Sequence, residues 1–232
     1  MRSLGARCCA AGSLAAITMS CVTMAVPSPL ATLGGSRVAE IGHSEAGIGL
    51  GTGMSLFPDA HAGGSGWLGR WRQGLGDGFD LGIDVMGVQH SDKGTIDLGV
   101  GARYQLSDHL RLEAVVGGAD DSSGQSLNAQ VGLTLGTNRP EWAWNYYGSF
   151  RFAGTQGLPG NIIGGGPDNG TPPDDLLVVA AVGASSAIGE GGRFVGEFGA
   201  GPAFVQGQSD VGVVFYFGAA LLFDIGRINK PE

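Results

Sequence analysis

Two short segments of the sequence carry the side chains of a hydrolytic site. His43-Ser44-Glu45 and His90-Ser91-Asp92 each combine an imidazole, a hydroxyl and a carboxylate, which are groups used in nucleophilic catalysis. A nucleophile and its base must lie within hydrogen-bond reach, and adjacent residues of a strand point to opposite faces. His43 and Ser44 therefore cannot pair within one strand, and the second segment lies in a predicted turn. We expect no enzymatic activity from either segment.

The composition excludes several other classes of protein. Glycine occupies 45 of 232 positions, charged residues make up 15% and the mean hydropathy is +0.13. The glycines have no three-residue period, which excludes collagen, and the apolar content excludes a disordered chain. The net charge of −8, with no cluster of lysines, argues against nucleic-acid binding. Four histidines without a cysteine cluster predict no metal site, and the sequence shows no cofactor motif.

The N-terminus has the layout of a secretory signal peptide. Arg2 and Arg7 precede an uncharged, mostly apolar stretch at residues 8–19, which is too short to span a bilayer. We therefore predict that residues 1–20 are a signal peptide and that the protein is exported. The Ser20-Cys21 junction resembles that of bacterial lipoproteins and would make Cys21 a lipidated first residue. Cleavage after Ala25 is the alternative.

The remaining sequence alternates between apolar and small or polar residues. At residues 46–56, apolar side chains occupy even positions and glycines occupy most odd positions, which predicts a strand with one apolar face and one nearly bare face. Turn residues separate the alternating segments, and no segment has a helical period. The sequence thus predicts an all-β protein. The alternation is found in nine segments: 46–56, 79–86, 96–105, 110–116, 127–135, 142–152, 176–186, 193–198 and 211–223.

The polar residues of these strands favour a transmembrane barrel over a soluble sandwich. Charged residues share one strand face with glycine, as expected for a narrow lumen rather than for a solvent-exposed face. Trp142, Trp144 and Tyr146 cluster at a strand start, where an interfacial aromatic girdle would lie. Strands of about 10 residues also match a tilted crossing of a bilayer.

This pattern, over roughly residues 45–224, resembles the small outer-membrane β-barrel proteins of Gram-negative bacteria, such as the membrane region of OmpA. The resemblance implies an antiparallel up-and-down transmembrane β-barrel in the outer membrane. Such chains usually end on an aromatic strand, whereas here nine residues follow Phe223. We expect an N-terminal periplasmic segment at 21–44, the barrel at 45–224 and a C-terminal tail at 225–232.

Nine clear strands predict a barrel of ten, because bacterial single-chain barrels have an even number of strands. A tenth strand within 157–164 would place the long connections 58–77 and 154–174 on the same side, with both termini periplasmic. A barrel of eight strands is the alternative.

The charged residues of the inner face allow two interpretations. They could form ion pairs that close the barrel, or they could line a passage for small solutes in the space that glycines leave. We expect Arg103 to find its acidic partners in Glu113 and Asp84. The predicted interior charges are Asp80, Asp84, Asp97, Arg103, Arg111, Glu113, Arg151, Arg193 and Glu197.

The first long connection carries two tryptophans and two arginines: Trp67, Arg70, Trp71 and Arg72. In a surface loop they could bind a lipopolysaccharide phosphate, a glycan or another envelope protein, or they could fold over the barrel mouth. The sequence thus predicts an outer-membrane barrel with a structural or surface-interaction role and with outer-membrane lipid and lipopolysaccharide as its surroundings. The alternatives are a narrow channel for small solutes and an exported soluble β-sandwich that binds a ligand.

Overall fold

Ten antiparallel strands form one closed barrel in the computed structural model, which describes residues 37–57, 60–90, 93–121, 124–137, 139, 142–158, 174–207 and 209–227. The strands are β1 (His43–Phe57), β2 (Ala60–Gly76), β3 (Phe79–His90), β4 (Lys93–Ser107), β5 (Leu110–Asp121), β6 (Gly124–Gly136), β7 (Asn145–Leu158), β8 (Asp175–Ile188), β9 (Gly192–Val205) and β10 (Gly212–Arg227). The all-β prediction and the strand number are confirmed. No helix in the described ranges is long and apolar enough to cross a membrane.

Each strand pairs with the next along the chain, and β1 pairs with β10 to close the barrel. His43 lies opposite Arg227, so both ends of the described chain meet at one end of the barrel, which we call the terminal end. The tight hairpins 77–78, 108–109 and 189–191 lie there. Asp77 and Gly78 both have positive φ, as a two-residue hairpin turn requires. The opposite end, the loop end, carries the long connection between β7 and β8.

The tenth strand is not where the sequence predicted it. Residues 60–76, predicted as part of a surface loop, form β2, which pairs with β1 and β3 along its length. The predicted strand at 157–164 is wrong in its first two residues, because β7 continues to Leu158; residues 159–164 lie outside the described residues. Arginines and glycines on the inner face of β2 hid its alternation.

The two faces of the barrel are inverted relative to a soluble protein. Large apolar side chains are exposed all around the outer face, and charged side chains are buried inside. A single closed sheet with this distribution excludes the soluble sandwich and is the arrangement of membrane-spanning barrels. The outer face includes Ile48, Leu50, Leu98, Val100, Val116, Val131, Phe150, Phe152, Val182, Phe198, Phe217 and Leu221.

One side of the lumen is apolar rather than charged. Leu177 and Val179 of β8 point inward and form a buried cluster with Val205 of β9 and Tyr216 of β10. This cluster explains why residues 176–186 are apolar at both parities: the outer face meets the surroundings of the barrel and the inner face meets a core. The lumen is therefore lined partly by charged side chains and partly by buried apolar clusters.

Ahead of β1, residues 37–42 turn into the barrel instead of leaving it. Ile41 forms a parallel bridge with Gly74 of β2, and the amide of Gly42 donates to the Gly74 carbonyl at 3.1 Å. We call this segment the strap. The rest of the predicted 21–44 segment up to residue 36, including Cys21, lies outside the described residues, as do residues 228–232 of the predicted tail.

Candidate functional site

The charged residues of the lumen form the candidate site, because their side chains are buried at the centre of the barrel. All nine predicted interior charges lie on the inner face, and eight of them are nearly inaccessible to solvent; Arg193 is partly exposed at the terminal end. Glu45, Arg70 and Arg72 also belong to this group, although their place in the sequence did not predict it. Two tyrosines, Tyr147 and Tyr216, are buried in the lumen as well and were not predicted.

A continuous row of ion pairs crosses the lumen near the terminal end. Arg103 of β4 donates through Nη2 and Nε to the Asp80 carboxylate of β3, at 2.7 and 2.9 Å. The same Nη2 reaches Glu45 of β1 at 3.2 Å, and Glu45 accepts from Arg193 of β9 at 2.5 Å. Because β1 and β4 are not neighbours in the sheet, this row spans the interior rather than following the wall.

Arg103 therefore has different partners from those predicted. Glu113 lies directly opposite Arg103 in the strand register, but its carboxylate accepts from Arg111 at 3.0 Å. The Asp84 carboxylate accepts hydrogen bonds from Arg70 and Arg72 of β2 instead. The partners are Asp80, which lies directly opposite Arg103 on the other neighbouring strand, and Glu45, which reaches it from the non-neighbouring strand β1.

The predicted surface-loop site at Trp67–Arg72 is wrong. Arg70 and Arg72 point into the lumen and both donate to Asp84 of β3, at 2.9 and 2.5 Å. Trp67 and Trp71 point outward and are about half exposed. The arginines are thus unable to meet a phosphate at the surface, and the alternation of Trp and Arg was the overlooked sign of a strand.

A second bridge crosses the lumen between β7, β9 and β10. Arg151 donates to both oxygens of Glu197 at 2.8 and 2.9 Å, skipping the intervening strand β8. The hydroxyl of Tyr216 donates to Glu197 at 2.6 Å and accepts from Arg151 at 2.5 Å. A bidentate pair of this kind is geometrically restrictive, so it ties β7 to β9 across the interior.

Asp97 differs from the other interior carboxylates in that it contacts a neutral side chain rather than an arginine. Asn128 of β6 donates to it at 2.8 Å across the glycines of β5. A carboxylate and an amide of this kind extend the polar lining toward the loop end of the lumen.

The inner-face glycines do not leave the open space that the channel interpretation required. A Cβ on Gly183 would overlap the Tyr147 ring, and a Cβ on Gly199 would overlap the Tyr216 ring. A Cβ on Gly101 would lie 3.0 Å from the Arg72 guanidinium. The missing side chains therefore make room for large side chains from other strands, which fill the lumen.

In the first segment of hydrolase-like composition, the histidine and the serine have separate partners. The His43 imidazole lies 3.1 Å from the Asp224 carboxylate, whereas the Ser44 hydroxyl donates to Gln73 at 2.6 Å. Ser91 and Asp92 lie outside the described residues. Within the described ranges, no three His, Cys, Asp or Glu side chains are grouped so as to hold a metal ion.

Solved structures with a similar fold are β-barrels of the outer membrane. No protein-family model matches the sequence, and no curated protein matches it. An outer-membrane channel from Pseudomonas putida F1 is 9% identical, with 83% of this chain and 98% of that chain covered and a TM-score of 0.47. The β domain of the Bordetella autotransporter BrkA is 12% identical, covering 78% and 98%, with a TM-score of 0.44. Neisserial surface protein A is 9% identical, covering 78% and 97%, with a TM-score of 0.41. Such identities transfer no activity to this chain.

Proposed function

We propose that this protein is an integral outer-membrane β-barrel with a closed lumen and a structural or surface-interaction role. The observation that carries the proposal is that a connected row of ion pairs, from Arg103 of β4 through Glu45 of β1 to Arg193 of β9, links non-neighbouring strands through the interior. Arg72, Arg103 and Arg111 are 0–1% exposed, so a water-sized molecule does not reach them. A barrel of this size has an interior that side chains can fill, and here they do.

The exposed apolar outer face supports the membrane location. Side chains such as Leu50, Val100 and Phe217 would be in unfavourable contact with water if the barrel were in solution. Lipid is the partner that covers them, and Trp142, Trp144 and Tyr146, exposed near the start of β7, fit the headgroup level at the terminal end.

Two measurements test the proposal. The protein is expected in the detergent-solubilised outer membrane, and unboiled samples are expected to migrate faster on a denaturing gel than boiled ones. In planar lipid bilayers the purified barrel is expected to give no stepwise conductance. Reproducible single-channel currents from the unmodified chain would contradict the closed lumen while leaving the membrane location intact.

The narrow channel is the second candidate, and a cavity favours it. A cavity of about 260 Å³ lies at the terminal end between the strap and the small residues of β8 and β9, with Ser185, Ala187 and Arg193 in its wall. The same bilayer recordings separate the two candidates, because a channel would conduct without any substitution.

A further inference from the structure

The strap lies on the inner wall of the barrel at a position that only glycine allows. A Cβ on Gly74 of β2 would overlap the carbonyl of Glu40 and the backbone of Ala39. The strap thus packs directly onto the β2 backbone, where it also forms the Ile41–Gly74 bridge. This close approach makes Gly74 a specific requirement of the strap rather than of the strand.

Two charged groups of the lumen hold the strap in place. The amide of Ala39 donates to Asp80 at 2.8 Å, and Arg111 donates to the carbonyl of Arg37 at 3.2 Å. Asp80 is fully buried and Arg111 is 1% exposed, so the strap satisfies polar groups that would otherwise be costly to bury. The charge network and the strap are therefore one connected structure.

The strap is nevertheless separable from the barrel wall. It contributes no strand to the sheet, and its own Arg37–Glu40 ion pair is half exposed. It borders the cavity at the terminal end, whose opposite wall is built from small residues of β8 and the β8–β9 hairpin. A displacement of the strap would widen this opening without breaking any pair of the ten-stranded sheet.

We propose that residues 37–42 form a lid on the terminal end of the lumen, latched by Asp80 and Arg111, and that its release opens the cavity to the solution on that side. This inference goes beyond the closed barrel, because it assigns part of the closure to a removable segment. The cross-lumen ion pairs remain in place when the lid opens.

Trypsin cleavage after Arg37 tests the latch in the intact folded protein, since the carbonyl of the bond to be cleaved is the one that Arg111 holds. Gly74→Ala adds one methyl group under the strap, and overpacking of this kind predicts cleavage at least about tenfold faster than in the unmodified chain. The matched control is Gly69→Ala on the same strand, where the nearest atom to a Cβ is 3.9 Å away.

A second variant alters only the strap and leaves every residue of the barrel wall unchanged. Ala39→Pro removes the amide that donates to Asp80, whereas Ala39→Gly keeps it. Each rate is divided by the cleavage rate of the same bond in the heat-unfolded chain, and unboiled gel migration verifies that each barrel is folded.

Faster cleavage in Gly74→Ala or Ala39→Pro, with both controls unchanged, supports the lid. Unmodified rates in both folded variants would overturn it, and if Gly74→Ala fails to fold, Ala39→Pro alone decides.

Discussion

Arg103 is the most connected side chain of the lumen. It joins Asp80 of the neighbouring strand β3 to Glu45 of the non-neighbouring strand β1, and its side chain is fully buried. Arginine suits this position because its planar guanidinium can donate to several acceptors at once and stays charged. Removing it would leave two acidic groups with fewer partners in a region that water does not reach.

We therefore expect Arg103→Ala to destabilise the folded barrel by about 3–5 kcal/mol, the cost of breaking a buried ion pair. Urea unfolding of the barrel in detergent, followed by tryptophan fluorescence, measures the change. Arg139→Ala is the control, because Arg139 is exposed and stacks at 5.5 Å over Trp142. Equal unfolding midpoints for the two variants would show that the Arg103 contacts contribute nothing to stability.

The pairing of glycine with tyrosine on neighbouring strands makes a second prediction at this scale. Gly183 lies opposite Tyr147 in the register and leaves room for its ring. We expect Gly183→Ala to cost about 1–3 kcal/mol, as overpacking does. Gly148→Ala on the outer face is the control, since a Cβ there meets nothing closer than 3.8 Å. The same urea titration compares them, and equal stability would mean that the ring can move aside.

Residue parity predicted which side chains face the lumen, but not their partners. The alternation placed Arg103 and Glu197 inside, since the face of a strand follows from its period of two. The contacts of Arg103 with Glu45 and of Arg151 with Glu197 depend on which strands face one another across the lumen. That arrangement is set by the curvature and stagger of the closed sheet, which no local pattern encodes.

At the level of elements, β2 shows why one strand escaped detection. Its first half reads AHAGGSG, with few of the branched or aromatic side chains that indicate strands. In its second half, Arg70 and Arg72 occupy the inner face, where the other strands carry many small residues. Pairing with β1 along residues 60–73 and with β3 from Ser65 onward overrides these weak preferences.

Two outward-facing leucines of β4 test whether the outer face is embedded in a membrane, because they lie at different distances from the end of the strand. Leu98 lies well within β4, and Leu106 lies near its terminal-end hairpin; both side chains are exposed on the outer face. An arginine near the bilayer midplane costs about 2–4 kcal/mol, and one near the interface about 0–1. We expect Leu98→Arg to be destabilising and Leu106→Arg to be mild in refolding titrations into lipid vesicles. Equal costs at the two positions would contradict a membrane-embedded outer face.

At the scale of the whole molecule, closure depends on the pairing of the first and last strands. Ala46 of β1 lies opposite Phe223 of β10 on the outer face. Paired strand positions bring Cα atoms within the range that a disulfide bridges. With the native cysteines replaced, Ala46→Cys with Phe223→Cys is expected to form a disulfide in the folded barrel, detected by migration under non-reducing conditions.

The control for the β1–β10 cross-link is Ala46→Cys with Phe217→Cys. Phe217 lies opposite Thr52, six residues farther along β1 than Ala46. A disulfide in the control variant, or no disulfide in the Ala46→Cys, Phe223→Cys variant, would contradict the β1–β10 register that closes the barrel.

The charges of the molecule are also unevenly distributed between its interior and its ends. Among the described residues, the six arginines of the lumen and six acidic residues of its charged lining carry equal and opposite formal charges, although the chain carries −8. The arginines are Arg70, Arg72, Arg103, Arg111, Arg151 and Arg193, and the acidic residues are Glu45, Asp80, Asp84, Asp97, Glu113 and Glu197. The negative excess therefore belongs to the parts of the chain outside this set.

The ring of Tyr147, seated over Gly183, has a consequence for the width of the barrel. If β8 slid by two residues along β7, the ring would face Ala181 or Ser185, and either Cβ would occupy its place. The contact thus fixes the register between β7 and β8. For a given number of strands, the summed offset between neighbouring strands, the shear number, sets the tilt and radius of a barrel. Side chains inside the lumen therefore help to fix the diameter of the wall that encloses them.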